Sequence, residues 1–271
     1  NLADQKGLKR FDLELVVRGT LTATGADGDS VYFTSDAADV TRGDWWGIIL
    51  PEAGGKVFLD RVVIEFANQG IYADRGEVNL TRSQIRSCNI AGMQLQEASG
   101  RITRNLITDI GNFGGTGKGV YFLRTTNVVF DGNLVIGNQT GMSLERDSNC
   151  RITNSLFSLC KTYGIIVGAS NPELTGNNIT QNEFGLFLFG GSRPKVRGNN
   201  IFGNGTYEVK VGEYTKPADG RNLVLDLGGN WWGDVTADAV LEKIEDGFDD
   251  PNVGAVLKIE PILKEAVRGG N

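Results

Sequence analysis

The feature that most restricts this chain is a short segment, glycine followed by alternating apolar positions, that returns at nearly constant intervals. It reads GIIL from Gly47, GIYA from Gly70, GMQL from Gly92, GVYF from Gly119, GMSL from Gly141, GIIV from Gly164 and GLFL from Gly185. Successive copies start 23, 22, 27, 22, 23 and 21 residues apart. YEVKV from Tyr207 is a further copy, 22 residues on, with the glycine lost. A fixed period of this size means one supersecondary unit stacked on copies of itself. The 38 glycines do not recur at every third position, which excludes a collagen triple helix and points to one turn glycine per repeat.

Each copy leads into a second apolar run and an asparagine-rich turn, as in DGNLVIGN ending at Asn138, TGNNITQN ending at Asn182 and RGNNIFGN ending at Asn204. Alternation along a strand sends one set of side chains inward. That set is Ile71 and Ala73, Met93 and Leu95, Val120 and Phe122, Met142 and Leu144, Ile165 and Val167, Leu186 and Leu188. Stacked coil upon coil, these make one apolar column. Asparagine tolerates left-handed turn geometry, and its amide can hydrogen-bond from one coil to the next. The short β-branched runs between glycine and asparagine turns read as strands, three to a coil, and the copies lack the leucine framework of a leucine-rich repeat. The predicted fold is all-β: a single-stranded right-handed parallel β-helix of about 8–9 coils. It covers residues 1–233, and residues 234–271 form a small C-terminal cap within the same domain.

The open ends of such a coil expose strand edges and need covering. Thr236 can start a helix whose apolar face is Val240, Leu241, Ile244 and Phe248, with Gly247 to end it. Asp250-Pro251-Asn252 reads as a turn and Val256–Ile259 as a last strand. Trp231 and Trp232 are assigned to this cap, and Trp45 and Trp46 to packing beneath the first coils.

The alternation of G-I-x-V segments with N-x-I-x-x-N turns resembles the parallel β-helix repeat family of bacterial surface and periplasmic proteins, on the scaffold shared with pectate-lyase-like proteins. Val17–Ile48 is similar to the opening coils of such proteins, and GGNWWGD (Gly228–Asp234) to their closing element. The resemblance implies export to the periplasm, the cell surface or the extracellular space. It implies no single activity, because one scaffold hosts lyases, hydrolases, adhesins and structural proteins. The chain opens on Asn1 rather than methionine, as a processed or trimmed chain does.

Composition narrows the functions. With 27 basic and 33 acidic residues the net charge is −6, which disfavours nucleic acid, whose phosphates call for clustered Lys and Arg. No apolar run is long enough to span a membrane. Cys88, Cys150 and Cys160 are too scattered for a disulfide framework and read as buried thiols. The chain has no histidine, which removes the commonest general base and the commonest metal ligand. The run GNFGGTGKG (Gly111–Gly119) fails as a phosphate loop: its spacing is one residue too long and no Ser or Thr follows Lys118. It reads as an insertion in one coil, which accounts for the single 27-residue spacing.

Two sets of residues are candidates for function. Outward positions of the glycine strand read Tyr72, Gln94, Tyr121, Ser143, Ile166 and Phe187, with Leu123 and Phe189 at strand ends. An apolar and aromatic stripe on a face that should be wet marks a surface for a protein partner or a polysaccharide, with Tyr72, Gln94, Tyr121, Ile166 and Phe187 as its binding residues. The plain alternative is cover by the loops Gly111–Lys118 and Gly212–Arg221. The second set follows the same strand in neighbouring coils: Glu97, Arg124, Glu145 and Asp147, beside Gln96 and Arg146. Those carboxylates could hold Ca2+ or act as the acid and base of a polysaccharide lyase or glycoside hydrolase. Solvated ion pairs on a repeat surface are the bland alternative. The expectation is a non-enzymatic binding or structural module without a cofactor, open to assembly into a larger complex, with the polysaccharide-active enzyme as the competing reading.

Overall fold

Because side chains alternate along a strand, a copy such as Gly141–Leu144 can bury Met142 and Leu144 only if every coil presents the same face to the same interior. In the computed structural model of this chain, which describes residues 13–112, 114–216, 218 and 222–269, every coil does. The first sheet has ten strands, from Leu15–Val16 and Ile48–Leu50 through Gln69–Asp74, Ala91–Gln96, Lys118–Leu123, Thr140–Glu145, Tyr163–Gly168, Phe184–Phe189 and Tyr207–Gly212 to Ile244–Glu245. The second and third sheets have eight each, beginning at Thr20–Thr24 and Val31–Phe33 and ending at Lys195–Val196 and Asn200–Phe202. Each strand pairs in parallel with its counterpart one coil away, which makes the fold a parallel β-helix.

The predicted inward set is fully buried throughout. Ile71, Met93, Val120, Met142, Ile165, Leu186 and Val209 stand in register as one column. Inside the coils, Phe130 packs edge-on to Phe122 at 6.3 Å and stacks on Phe157 at 6.2 Å. Each such burial contributes about 1.5–3 kcal/mol. The three cysteines are buried, and burial pushes each thiol up to about 12.

The repeated glycine is not a turn residue, contrary to the composition argument. It sits near the start of the strand, where the coils approach most closely. A Cβ on Gly141 would lie 2.4 Å from the Gly164 carbonyl oxygen of the next coil, and one on Gly92 would lie 2.6 Å from that of Gly119. Nor do the ladder asparagines occupy the left-handed conformation. That role falls to the residue just before each: Arg104 before Asn105, Gly132 before Asn133, Gly176 before Asn177 and Gly198 before Asn199.

The asparagines turn inward instead and carry hydrogen bonds along the axis. Asn177 Oδ1 accepts from the Ser155 N–H at 3.0 Å, and Asn177 Nδ2 donates to the Ile152 carbonyl at 2.9 Å and to Asn199 Oδ1 at 3.0 Å. The pattern runs from Ser83 through Asn105, Asn133, Ser155, Asn177 and Asn199 to Asn230. A second row, Cys160–Asn182–Asn204, works the same way at the corner leading into the first sheet. It ends on Glu208, which stands where the last copy has lost its glycine. The buried carboxylate accepts from the Asn204 N–H at 3.3 Å and from Asn204 Nδ2 at 2.5 Å. Burial raises its pKa against the pull of those bonds.

The C-terminal cap departs from the reading in one respect. Thr236 caps a helix, but the helix covers only Ala237–Leu241. Ile244–Glu245 then join the first sheet beside Val209–Lys210. That breaks the helical period, so Val240 and Ile244 are buried while Leu241 is 51% and Phe248 81% exposed. The last strand, Ala255–Lys258, pairs with Leu223–Asp226 in a separate two-stranded sheet. Beyond it the chain turns back over the third sheet, where Asn200 grips Val267 through both its carbonyl and its N–H. Trp232 is buried in the core, and Trp231 meets Phe202 edge-on at 4.9 Å. At the other end Trp45 donates Nε1–H to the Glu65 carbonyl at 2.8 Å.

Replacing Asn177 by alanine orphans the buried Ser155 N–H, at about 1–3 kcal/mol, and removes the amide bonds to the Ile152 carbonyl and to Asn199. A loss of about 3 kcal/mol in urea denaturation is expected. Glu208→Gln is expected to lower the thermal midpoint at pH 7, because the amide would turn its own donor toward one of the two Asn204 N–H groups. Because the folded pKa is raised, the wild type gains stability as pH falls from neutral toward the ordinary Glu range, and the variant should lack that gain.

Candidate functional site

Where a coil enters the first sheet, the backbone bends at the glycine and strict alternation is lost. The residue before the glycine and the residue three further on therefore both face outward. Lys118 and Tyr121, Tyr163 and Ile166, and Phe184 and Phe187 are such pairs, and Tyr207 and Lys210 continue the pattern in the next coil. Stacking sets them in two rows. One holds Tyr72, Gln94, Tyr121, Ser143, Ile166, Phe187 and Lys210 in register. The other brings Tyr163, Phe184 and Tyr207 side by side.

The C-terminal half of this face is aromatic. Tyr163 stacks on Phe184 at 5.1 Å and on Phe187 at 5.2 Å, and Phe187 stacks on Phe189 at 5.3 Å. Phe184 tilts against Tyr207 at 6.1 Å. Gly168 seats the outermost ring, since a Cβ there would lie 2.2 Å from Phe189. All five rings are half-buried, so part of each remains open to solvent. Lys210, ion-paired with Glu245, lies 5.8 Å from the Tyr207 ring centroid and 5.9 Å from that of Phe184.

The middle of the face is polar and centred on Glu145. Ser143 Oγ donates to Glu145 Oε1 at 2.6 Å, Lys118 Nζ to the same oxygen at 3.1 Å, and Tyr121 Oη to Oε2 at 3.3 Å. Lys118 Nζ also stands 3.6 Å above the Tyr121 ring. Burial alone would raise the Glu145 carboxyl. The Ser143 bond, the Lys118 charge and the Tyr121 hydroxyl outweigh it and hold the group below its usual range. Burial and the Glu145 charge push the Tyr121 phenol up. On the N-terminal side, Gln69 Nε2 donates to Gln94 Oε1 at 2.9 Å.

The predicted stripe residues Tyr72, Gln94, Tyr121, Ile166 and Phe187 share this face, each half-buried. Ser143 is fully buried beneath Glu145, and Leu123 is buried too. The loop after Gly111 closes on itself, Asn112 N–H to the Thr116 carbonyl at 3.0 Å, and borders the corner. In the second loop, residues 217 and 219–221 lie outside the described residues.

The charged set divides. Glu97, Arg124, Arg146 and Asp147 all have left-handed backbone, at the corner that ends the first sheet. Glu97 and Arg124 pair at 2.8 Å with both side chains 42% exposed. Glu145 is one position back, in register with Leu123 and Gln96, and turns toward Lys118 and Tyr121 instead. No group of three or more potential metal ligands forms among the described residues. Lys118, Tyr163, Phe184 and Tyr207 went unrecognised as parts of one surface. Counting alternation backward across the glycine turns Tyr163 and Phe184 inward; the signal that could have found them is an aromatic residue at the same offset in three successive copies.

A family model described as the right-handed β-helix region matches residues 46–201, more than half of the chain. No curated protein matches in sequence. Among solved structures, the crystal structure of a point mutant of the periplasmic alginate epimerase AlgG is similar with a TM-score of 0.56 at 15% identity, covering 92% of this chain and 68% of that one. The structure titled without the mutation aligns with a TM-score of 0.48 at 14% identity, over 92% of this chain and 66% of that one. At such identities the likeness is one of fold. No helix among the described residues is long and apolar enough to cross a membrane. The family match covers the repeats and the stacked sheets extend them to both sides, so this chain belongs to the right-handed β-helix proteins.

Proposed function

We propose that this chain is an exported, non-enzymatic module that holds a polysaccharide along the outer face of its first sheet. The observation that carries the reading is the run of stacked, half-buried rings formed by Tyr163, Phe184, Phe187, Phe189 and Tyr207. A pyranose ring has an apolar C–H face that lies flat on an aromatic ring, and contiguous exposed rings on a monomer mark an interaction surface. The rings recur coil by coil, about 4.8 Å apart, so a glycan running along the axis meets a similar surface at each step. Lys118, Glu145 and Gln94 beside the rings offer donors and acceptors to sugar hydroxyls. That the fold is shared with a periplasmic alginate epimerase supports export and a polysaccharide ligand.

The groups around Glu145 favour binding over catalysis. A glycosidase acid needs a raised pKa and a second carboxylate facing it across the bond to be cut. Glu145 is held ionised, and its contacts are a lysine, a tyrosine and a serine. A lyase or hydrolase built on Glu97, Arg124, Glu145 and Asp147 would have to draw on two sites, because Glu145 faces away from the Glu97–Arg124 pair.

Affinity electrophoresis in gels containing neutral or acidic polysaccharides tests the reading. Tyr121→Ser combined with Phe187→Ser should weaken retardation about tenfold, the factor expected for two lost ring contacts, with the β-sheet circular dichroism signal unchanged. Retardation equal to wild type would count against the aromatic face. Incubation of the wild-type protein with the same polysaccharides should release no new reducing or unsaturated ends. Their release, abolished by Glu145→Gln, would make the chain an enzyme.

A further inference from the structure

We infer that the chain carries a second, smaller site, a pocket for a sugar acid at the corner between the third and first sheets. It lies apart from the aromatic face. The cavity holds about 590 Å³, within the range of small-ligand pockets, and runs outside the corner residues Ser87, Asp109 and Gly137.

Hydrogen bonds among the described residues shape both of its walls. One is the segment through Val40–Arg42, organised by the buried Asp44: that carboxylate accepts from Ser35 Oγ at 2.9 Å, Thr41 N–H at 2.9 Å and Thr41 Oγ1 at 2.8 Å. Arg42 pins the segment to a distant coil by donating to the Asp109 carbonyl at 2.8 Å and the Gly111 carbonyl at 2.5 Å. The facing wall is the insertion after Gly111, gathered around Asn112 Oδ1, which accepts from Gly114 N–H at 3.0 Å and Thr116 Oγ1 at 3.1 Å. The insertion that gives one repeat its extra length therefore builds a wall.

The lining groups set the ligand class. Asp109 is satisfied by Arg42 and by Ser87 Oγ, so its charge does not repel an anion. Lys161 lines the pocket, and its amine has no ion-pair partner among the described residues. The side-chain amide of Gln139 is likewise uncommitted, and Asn89 uses Nδ2 on Asn68 while keeping Oδ1 for another donor. Val40 and Phe66 supply an apolar wall. One available cation, two amides and an apolar surface in a space of this size suit a pyranose that carries a carboxylate.

Ligand-observed NMR titration with glucuronate and with glucose tests the assignment. Wild-type protein should bind glucuronate about fivefold more tightly than glucose, the factor of one partly exposed charge pair. Lys161→Ala should erase that preference, and Val40→Trp should block both sugars. Tyr121→Ser with Phe187→Ser should leave glucuronate binding unchanged, so loss of polysaccharide binding in that variant reports on the aromatic face alone. No binding of glucuronate, equal binding of the two sugars, or a preference that survives in Lys161→Ala would each overturn the pocket.

Discussion

Everything in this molecule depends on coils stacking at the spacing of a single hydrogen-bonded strand, about 4.8 Å. At that distance each residue meets its counterpart from the neighbouring coil, and whatever is placed at one position is judged against the same position above and below. Apolar side chains pass because they pack. Amides pass because each offers both a donor and an acceptor. Like charges follow one another only on the wet outer corners, where Arg61, Arg82 and Arg104 hold one position in successive coils and Arg61 and Arg82 both pair with Asp60. Glycine is required where even a methyl group would meet the next carbonyl.

This constraint explains what could be read from the residues and what could not. The inward column was legible because burial imposes the same demand on every copy, and the repeat therefore shows in the chemistry of the side chains. The insertion before Lys118 was legible as a break in spacing. The two rows of outward residues were half legible. Tyr121 and Phe187 lie where alternation from the core predicts, but Tyr163 and Phe184 lie beyond a bend that resets the count. The charged set failed for a related reason. Glu145 and Arg146 are neighbours in sequence, yet one ends a strand and the other turns a corner, so they look in different directions. At the C-terminal cap, the apolar spacing suited a helix as far as Leu241, and the demand of the last open strand edge then claimed Ile244.

The outer face also shows how a scaffold with so regular an interior acquires a local character. In the core the coils of Tyr121 and Phe187 both bury apolar side chains alone at matching strand positions, Phe122 and Phe130 in one and Leu188 and Val196 in the other. Outside, the first sets Lys118 and Tyr121 against the Glu145 carboxylate of the next coil, and the second carries part of a stack of rings. Interior positions answer to stacking, while exterior ones are constrained only by their immediate neighbours and are left free to specialise. A binding surface can thus change along the axis without disturbing the frame that displays it.

The asparagine row that closes on Glu208 has a direction. Each member receives N–H groups from the coil before it and hands its own to the coil after it, so bond dipoles add along the axis much as they do in an α-helix. Such a row has a donor end that another amide would only move one coil further along. A carboxylate offers acceptors alone, and Glu208 meets the last donors with a charge of the sign that opposes them. The position of that one residue therefore works as a stop signal. Whole coils could be gained or lost upstream, and the polarity of the row would still terminate at the same place.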